Sequence, residues 1–349
     1  MEKRKLGASD LDVSVLGLGC WQFGGGNYWG AQDQSDVNLV VHRAMELGVN
    51  YFDTAEAYNN GESESSLGVA LKGRRDKAVI GSKISPDHMY PVMIRERCEA
   101  SLQRMQTDYI DLYMVHWPIS GHAIAHYTKD PQLIAQPPDI REAFGELAKL
   151  QHENKIRHIG VSNHGIQQMK ELQVLELPFV ANELAYNLFS RAIEDSILPY
   201  CLSHSIGVIG YMPLQQGLLT GKYDNLDMIP SLQARSRHFH KSRGEGTRHG
   251  EEGAEMEINQ ALKEMKQLAK ELNVHRIVLS LAWIIANQGI ASTIVGSRDE
   301  KQLELNLQGA QYALKPEVIA KLNEITIPVW KRLGSNPDYY ENRNNSRVH

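Results

Sequence analysis

The chain has 349 residues, 42% of them hydrophobic and 23% charged, which is the composition of an ordinary globular protein. Its 37 basic and 42 acidic side chains give a net charge of −5, so neither nucleic acid nor an anionic membrane is an expected partner. The N-terminus lacks the apolar core of a signal peptide, and no apolar stretch is long enough to span a bilayer.

Three isolated cysteines, Cys20, Cys98 and Cys201, show neither paired spacing nor the spacing of metal ligands. An odd number of separate thiols is typical of a protein kept in a reducing compartment. We therefore expect a cytoplasmic protein without disulfides and without a bound metal.

Apolar runs typical of buried strands alternate with segments of helical periodicity along the first half of the chain. Asp36 is predicted to cap the first helix, which ends near Gly48. The predicted strands lie within 11–19, 50–53, 77–83, 109–116 and 156–161, and the helices within 36–47, 63–71, 92–102 and 140–150.

The second half continues the same alternation. Its predicted strands are 178–184, 206–212 and 290–295, and its helices are 165–176, 192–204, 258–272, 276–287, 299–310 and 315–325. Regularity fails in a long irregular loop at about 222–255, and a polar tail covers about 334–349. No boundary divides the chain, so 1–349 is predicted to be a single domain.

Eight strands separated by helices imply a parallel sheet. The glycine-rich GCWQFGGG lacks the G-x-G-x-x-G spacing of an open dinucleotide-binding sheet. Polar residues instead recur at the C-terminal ends of many strands, which is where a (β/α)8 TIM barrel builds its sites. We therefore predict such a barrel, with extended loops at its C-terminal face.

Four polar residues, Asp53, Tyr58, Lys83 and His116, lie at or near three of these strand ends. A carboxylate, an ammonium and an imidazole that converge on one phenol provide what carbonyl reduction needs: a proton donor, a group that tunes it and a group that orients the substrate. The alternative is a buried Asp53–Lys83 ion pair beside a surface tyrosine.

The motifs NYFDTAEAY, GSK, GVSN and YMPLQQGLLTGKY, with a strand that ends in HW, resemble those of the aldo-keto reductases along nearly the whole chain. The bacterial-type branch and the branch of channel β-subunits are both similar. The resemblance implies a (β/α)8 barrel with NADP(H), or NAD(H), across its C-terminal mouth. It also implies hydride transfer between that cofactor and an aldehyde, ketone or alcohol.

The resemblance assigns a catalytic role to each of the four residues. Tyr58 is the general acid in reduction and the general base in the reverse direction. Lys83 is expected to lower the Tyr58 pKa, and Asp53 to hold Lys83 in place. His116 orients the carbonyl or helps to relay the proton.

Cofactor contacts follow from the same resemblance. Ser162 and Asn163 match the positions that hold the nicotinamide carboxamide, and Tyr211 matches the aromatic residue under the nicotinamide ring. Arg298 is expected to bind a 2′-phosphate. The full expected cofactor set is Cys20, Trp21, Ser162, Asn163, Glu183, Tyr211, Pro213, Leu214, Gln216, Gly217, Leu219, Lys222, Gly296, Ser297, Arg298, Gln302 and Asn306.

Two positions depart from the family pattern. Glu183 stands where many members have Gln, and an ionised carboxylate there would favour the cationic, oxidised nicotinamide. Gly296 replaces a Lys that part of the family uses for the phosphate, which weakens the expected preference for NADP over NAD.

The expected substrate contacts are aromatic, with Tyr58 and His116 joined by Trp21, Trp29 and Trp117. An Arg- and His-rich loop at 235–253 has several open interpretations: an anion site, a lid, or a mobile surface loop. A zinc site from three of its residues is conceivable, although their spacing fits no standard pattern. Those residues are His238, His240 and His249.

The sequence thus predicts an NADP(H)-dependent reductase that acts on a small or sugar-like carbonyl compound. Two alternatives stay open. One is an NAD(P)-dependent sugar or polyol dehydrogenase that works mainly by oxidation, and the other is a cofactor-sensing partner subunit with slow catalysis. The oligomeric state is not predicted.

Overall fold

A closed ring of eight parallel strands forms the centre of the protein, in the residues 1–223 and 225–349 that this computed structural model describes. Each barrel strand pairs with its sequence neighbour, and the last pairs with both the seventh and the first. The (β/α)8 prediction is confirmed. In chain order the strands are β1 (Leu16–Gly19), β2 (Tyr51–Asp53), β3 (Val79–Ile84), β4 (Ile110–Val115), β5 (Ile156–Ser162), β6 (Ala181–Ala185), β7 (Gly207–Tyr211) and β8 (Ser292–Gly296).

Helices surround the barrel and cover the strands with their apolar faces. In the first long helix the buried residues Val37, Val40, Val41 and Ala44 repeat at the 3–4 spacing that makes one apolar face. The helices are Gly26–Trp29, Gln34–Glu46, Glu62–Ala70, Pro91–Met105, Gly121–Ile124, Pro131–Ala135, Ile140–His152, Ile166–Val174, Ile197–Ser203, Glu255–Glu271, Arg276–Ala286, Glu300–Gln311 and Pro316–Leu333.

The start of the first long helix differs from the prediction. Its N-cap position is Asp33, and Asp36 lies inside the first turn. Asp36 therefore does not cap the helix, although a carboxylate in the first turn is still favoured by the helix dipole.

An N-terminal hairpin was not predicted. The apolar run at 11–19 divides into Asp12–Ser14, which pairs antiparallel with Lys3–Lys5, and strand β1. Leu6 and Val13 are fully buried among the side chains of the barrel interior. A Cβ at Gly7 would lie 2.4 Å from the backbone nitrogen of Gly207, the first residue of β7. The hairpin thus closes the N-terminal end of the barrel, and only the opposite end is left to open onto a site.

The irregular loop and the tail both fold onto the barrel. Within 222–255 the chain makes short 3₁₀ turns, and buried residues such as Phe239 anchor the loop. Arg237 in this loop donates to the backbone oxygens of Leu333 and Asn336, so the loop and the tail hold each other. The tail, predicted only to be polar, contains the buried pair Asp338 and Arg347.

Among the described residues no helix combines the length and the apolar character needed to cross a membrane.

Candidate active site

The four proposed catalytic residues come together at the C-terminal end of the barrel. Asp53 is the last residue of β2, Lys83 lies near the end of β3, and His116 directly follows β4. Tyr58 begins a 3₁₀ turn after β2, which brings its ring back over these strand ends. Because parallel strands end at the same rim, residues 63 positions apart in sequence share one site.

Lys83 and Asp53 form a buried ion pair. The Lys83 ammonium lies 2.6 and 2.7 Å from the two Asp53 carboxylate oxygens and 3.0 Å from the carbonyl oxygen of Thr54. Both side chains are buried, with Lys83 0% and Asp53 2% exposed. The Tyr58 hydroxyl lies 3.5 Å from the same nitrogen, farther away than these three acceptors. The ammonium is therefore fixed beside the phenol that it is expected to assist.

The pKa of Tyr58 is raised, which corrects the expectation of a lowered value. Burial penalises the phenolate and outweighs the stabilising charge of Lys83, and the carboxyls of Asp53 and Glu183 add to the rise. The phenol is consequently neutral and carries its proton across the neutral pH range. A neutral phenol is the form that can donate a proton to a carbonyl oxygen.

His116 faces Tyr58 across the site, with ring centroids 5.8 Å apart and planes nearly perpendicular. Burial, and then the Lys83 charge, hold the pKa of His116 well below its usual value, so the imidazole is neutral. Its Nδ1 atom is buried and has no hydrogen-bond partner. A neutral imidazole can donate one hydrogen bond to a substrate oxygen without competing with Tyr58 as an acid.

Glu183 is a fifth member of this cluster. It lies in β6, 2% exposed, with one carboxyl oxygen 3.4 Å from the Lys83 ammonium. Its other oxygen, Oε2, is buried without a partner. Burial, and then the neighbouring Asp53, raise the pKa of Glu183 well above its usual value. This rise disfavours the ionised form that was expected for Glu183 from the sequence.

Three further predicted residues form one polar network beside the cluster. The Asn163 amide donates to the backbone oxygen of His116 at 3.1 Å and to the Ser162 hydroxyl at 3.0 Å. The Tyr211 hydroxyl donates to the Asn163 side-chain oxygen at 2.7 Å. Asn163 adopts φ of 61°, a left-handed conformation that Asn tolerates and that turns the chain out of β5. These contacts fix the rim between β5 and β7.

A cavity of about 680 Å³ joins this rim to the far side of the barrel mouth. That volume is typical of sites for small ligands and cofactors. Of the predicted catalytic residues Asp53, Tyr58 and His116 line it, and Lys83 lies behind them. The predicted cofactor residues in its wall are Cys20, Trp21, Ser162, Asn163, Glu183, Tyr211, Pro213, Leu214, Gln216, Gly217, Lys222, Gly296, Arg298, Gln302 and Asn306.

Two predicted cofactor residues do not line the cavity. Leu219 is fully buried in the hydrophobic core between barrel and helices. Ser297 is also fully buried, and its hydroxyl accepts a hydrogen bond from Asn306. Both side chains are buried behind the residues that line the cavity.

The predicted phosphate-binding arginine is already occupied by a neighbouring loop. The Arg298 guanidinium donates to the Gln32 side chain at 2.8 Å and to the backbone oxygens of Trp29 and Ala31. On the opposite side of the cavity, the Gln216 side chain donates to the Tyr28 hydroxyl at 3.0 Å. The segment 28–32, which we call the bridge, thus spans the cavity from Arg298 on one side to Gln216 on the other.

Gly296 has a steric reason to lack a side chain. A Cβ there would lie 2.8 Å from the Gln22 side-chain oxygen. The Gln22 amide is held by the backbone oxygens of Gly19 and Ser297, at 2.8 and 3.2 Å. Gln22 therefore occupies the space that a longer residue at 296 would need.

Aromatic rings wall the catalytic end of the cavity. Trp21 stacks on Tyr28 at 5.0 Å and lies 5.8 Å from Tyr58. Trp29 and Trp117 also line the cavity, as predicted. These rings leave Tyr58 and His116 as the polar groups that a small substrate would meet first.

Two aromatic residues in this wall were missed from the sequence. Tyr127 follows the short helix Gly121–Ile124, with its ring 6.2 Å from His116. Tyr340 reaches the cavity from the tail. The guanidinium of Arg347, also in the tail, lies 3.5 Å from the centroid of the Trp117 ring. The sequence around Tyr127 is a long proline-rich segment, and Tyr340 lies in a polar terminal segment with two adjacent tyrosines. Neither feature predicts that the segment folds back over the cavity.

The three histidines proposed for zinc do not meet. His238 contacts the Phe189 carbonyl oxygen and the Ser190 hydroxyl, and burial lowers its pKa to about 3. His240 contacts Ser242 and Glu252, whereas the ring of His249 accepts from the backbone of Glu251. No metal-binding group of three is found in the described part of the chain. Each histidine thus has its own hydrogen-bond partners, and the three do not form a zinc site.

The 235–253 loop approaches the cavity through Arg235 instead. Its guanidinium carbon lies 5.8 Å from the centroid of the Tyr28 ring, and its Nε atom is buried without a partner. This part of the loop therefore lies against the bridge.

The residues fit a nicotinamide dinucleotide. The cavity wall includes both the catalytic rim and Arg298, and Glu183 and His116 at that rim each have an unpaired buried atom. Gly217, with φ of 97°, adopts a conformation that favours glycine and lets a ligand approach the backbone. Fold and site together define a barrel oxidoreductase.

Comparisons with known proteins identify the family. The model of the aldo/keto reductase family matches residues 15–327. An NADH-specific methylglyoxal reductase of Escherichia coli is 31% identical over 354 residues, which cover 92% of this chain and 99% of that protein. The chain belongs to the aldo/keto reductase family and is an NAD(P)H-dependent oxidoreductase.

Solved structures agree with this assignment. A glycerol dehydrogenase from Gluconobacter oxydans superposes with a TM-score of 0.76 at 27% identity, over 96% of this chain and 97% of that chain. An aldo-keto reductase from Klebsiella pneumoniae in complex with NADPH gives 0.69 at 26% identity, over 93% and 96%. These relatives use nicotinamide dinucleotides of both kinds, since the Klebsiella structure contains NADPH and the Escherichia coli reductase is NADH-specific.

Proposed function

We propose that the protein reduces a small aldehyde or ketone, with Tyr58 as the proton donor. The observation that carries this proposal is the arrangement around the Tyr58 hydroxyl: the Lys83 ammonium at 3.5 Å on one side and the neutral His116 ring on the other. Bound nicotinamide dinucleotide supplies the hydride. Tyr58 gives its proton to the carbonyl oxygen as that oxygen gains charge, and Lys83 stabilises the phenolate left behind.

The remaining residues position the reactants. His116 donates a hydrogen bond that orients the carbonyl. Ser162, Asn163 and Tyr211 are proposed to hold the nicotinamide end of the cofactor, because they line the cavity at the rim that also carries Tyr58. Hydride and proton must reach adjacent atoms of one carbonyl group, so both donors have to share this rim.

The aromatic wall supports a small substrate with apolar or C–H faces, such as a short carbonyl compound or a sugar. Rings of Trp21, Trp29, Trp117, Tyr127 and Tyr340 surround the catalytic end. The names of the relatives mentioned above, methylglyoxal reductase and glycerol dehydrogenase, are in keeping with small substrates that carry oxygen at several carbons.

An oxidative role on a polyol or sugar is a second candidate, supported by the same glycerol dehydrogenase. The sensing-subunit role is not favoured, because the comparisons support an enzyme and every group required for turnover is present at the site. We keep the cytoplasm as the proposed location, since Cys20, Cys98 and Cys201 are buried free thiols.

Steady-state assays of the purified protein test the proposal. NADPH and NADH should each be offered with a panel of short aldehydes, ketones and sugars, and NADP+ and NAD+ with the matching alcohols. We expect repeated turnover with at least one small carbonyl compound. Oxidation of a single equivalent of bound cofactor, without further turnover, would instead support the sensing role.

A further inference from the structure

Glu183, which lies beside the catalytic residues, has a carboxyl oxygen in the cavity wall that lacks a hydrogen-bond partner. Its Oε2 atom is buried without a partner, and the residue lines the same rim as Ser162, Asn163 and Tyr211. Its Oε1 atom lies 3.4 Å from the Lys83 ammonium, and its carboxyl also lies close to that of Asp53. A buried carboxyl oxygen without a hydrogen-bond partner is costly unless a ligand or a proton satisfies it.

The charges around Glu183 do not balance if it is ionised. The charged and titratable groups that face it are Tyr51, Asp53, Tyr58, Lys83 and Tyr211. Burial raises the pKa of all three tyrosines, so these phenols stay neutral. A single cation, Lys83, is then left to compensate two buried carboxyls.

Asp53 takes the larger share of that cation. Both of its oxygens lie within 2.7 Å of the ammonium, and the Tyr51 hydroxyl donates to one of them at 3.5 Å. Glu183 lies farther from that ammonium, at 3.4 Å, and its Oε2 atom has no hydrogen-bond partner. The proton that balances the site therefore resides on Glu183.

The oxidised nicotinamide ring brings the missing positive charge. If Tyr58 and the ring serve the same carbonyl, the ring must lie at this rim, beside Glu183. A cation there stabilises the carboxylate, whereas the reduced ring is neutral and gives no such stabilisation.

We propose that Glu183 is a cofactor-state sensor that loses its proton when the oxidised cofactor binds and keeps it when the reduced cofactor binds. In the first case the carboxylic acid becomes a carboxylate and one proton goes to solvent. In the second case Glu183 stays a neutral acid and serves as a hydrogen-bond donor and acceptor, like the Gln of other family members. This inference rests on the proposed function, since it requires the nicotinamide at this rim.

Proton release by Glu183 would make the affinity for the oxidised cofactor depend on pH. If binding releases a proton, raising the pH strengthens the binding of the oxidised cofactor, by up to about tenfold per pH unit, and leaves that of the reduced cofactor unchanged. The preferred direction of the reaction then shifts with pH at the level of cofactor binding.

Calorimetric titration in two buffers of different ionisation enthalpy counts the protons. NAD+ and NADH are the probes, because neither carries the 2′-phosphate that titrates near neutrality. We expect the wild-type protein to release a proton with NAD+ and none with NADH. Glu183→Gln should abolish the release and make the ratio of the two dissociation constants independent of pH.

Glu56→Gln is the matched control. Glu56 is also buried, but it accepts from the Ser85 backbone and does not line the cavity. This variant should release the proton as the wild type does. Equal proton counts for NAD+ and NADH in the wild type would overturn the inference, as would a difference that persists in Glu183→Gln. Failure of the wild type to bind any of NAD+, NADH, NADP+ and NADPH would instead count against the proposed function itself.

Discussion

The Lys83 ammonium touches both oxygens of Asp53, at 2.6 and 2.7 Å, and both side chains are sealed from solvent. This pair determines what the surrounding groups can do. It places a fixed positive charge beside Tyr58, and it leaves Glu183, 3.4 Å from the same ammonium, as a second carboxyl without a cation of its own.

Because two carboxyls share one cation, each can partly replace the other. Asp53→Asn should let Glu183 ionise against Lys83, so it should cost less than the about 3–5 kcal/mol that breaking a buried pair usually costs. Glu183→Gln should cost less than about 1 kcal/mol. The double variant strands the ammonium, and its loss should exceed the sum of the two by about 1–3 kcal/mol.

Urea denaturation of the four proteins measures this coupling. Additivity within about 0.5 kcal/mol would show that the two carboxyls do not share the ammonium.

The Tyr58 hydroxyl is the proposed proton donor, so Tyr58→Phe should lower kcat for reduction by at least about a hundredfold. Fluorescence titration should show cofactor binding within a few-fold of wild type, since the ring remains. Tyr51→Phe is the matched control, because that buried hydroxyl contacts Asp53 at 3.5 Å but does not line the cavity. Near-normal turnover of Tyr58→Phe would refute the assignment of the proton donor.

Since burial and the Lys83 charge hold the pKa of His116 well below its usual value, we expect no titration of the imidazole between pH 6 and 8. Any pH dependence of reduction in that range must then come from other groups. His116→Gln, which keeps one hydrogen-bond donor, should weaken carbonyl binding and leave the shape of the pH profile of kcat unchanged. A limb near pH 6.5 that disappears in this variant would show that His116 acts as an acid or base.

The position of the C-terminal tail depends on the carboxylate of Asp338. Asp338 pairs with the guanidinium of Arg347 at 2.7 Å, and Arg347 covers Trp117 at the catalytic end. Burial raises the Asp338 pKa, but hydrogen bonds and the charge from Arg347 outweigh it and lower the net value. Its stabilising contribution is therefore complete above the unfolded pKa of 3.8 and disappears only as the pH falls through the lower folded value.

Asp338→Asn should consequently loosen the tail at neutral pH. We expect faster proteolysis within 334–349, a raised KM for small substrates and relaxed selection against bulky ones. Glu341→Gln is a milder control, because the Glu341 carboxylate lies 3.3 Å from His126, whose pKa burial lowers to about 4, so this contact is not an ion pair at neutral pH. Identical proteolysis rates for wild type and Asp338→Asn would show that this pair does not secure the tail.

Prediction from sequence succeeded where function depends on strand ends. Asp53, Lys83 and His116 could be placed because each lies at or near the end of an apolar run, and parallel strands finish at a common rim, whereas Glu183 was placed by the family resemblance. The pKa of Tyr58 was predicted with the wrong sign, since the sequence identifies the neighbouring cation but not the extent of burial. Tyr340 and Arg347 were missed because a polar terminal segment gives no periodic pattern, and only its tertiary contacts bring it over Trp117.

At the end of the cavity that is expected to hold the adenosine of the cofactor, Arg298 is predicted to bind a 2′-phosphate. In the structure its guanidinium holds the bridge through Gln32 and two backbone oxygens. Binding of the phosphate must therefore displace some of these contacts, so the bridge and the cofactor compete for one side chain.

Two variants separate the roles of Arg298. Arg298→Ala removes the guanidinium and should weaken NADP+ by about 10–100-fold, the effect of losing a charge-assisted hydrogen bond. NAD+ affinity should change little. Gln32→Ala frees the guanidinium from one partner and should leave NADP+ binding equal or tighter. Equal weakening of NADP+ and NAD+ by Arg298→Ala would mean that the arginine only braces the bridge, and that discrimination at the 2′ position depends on other residues of the cavity wall.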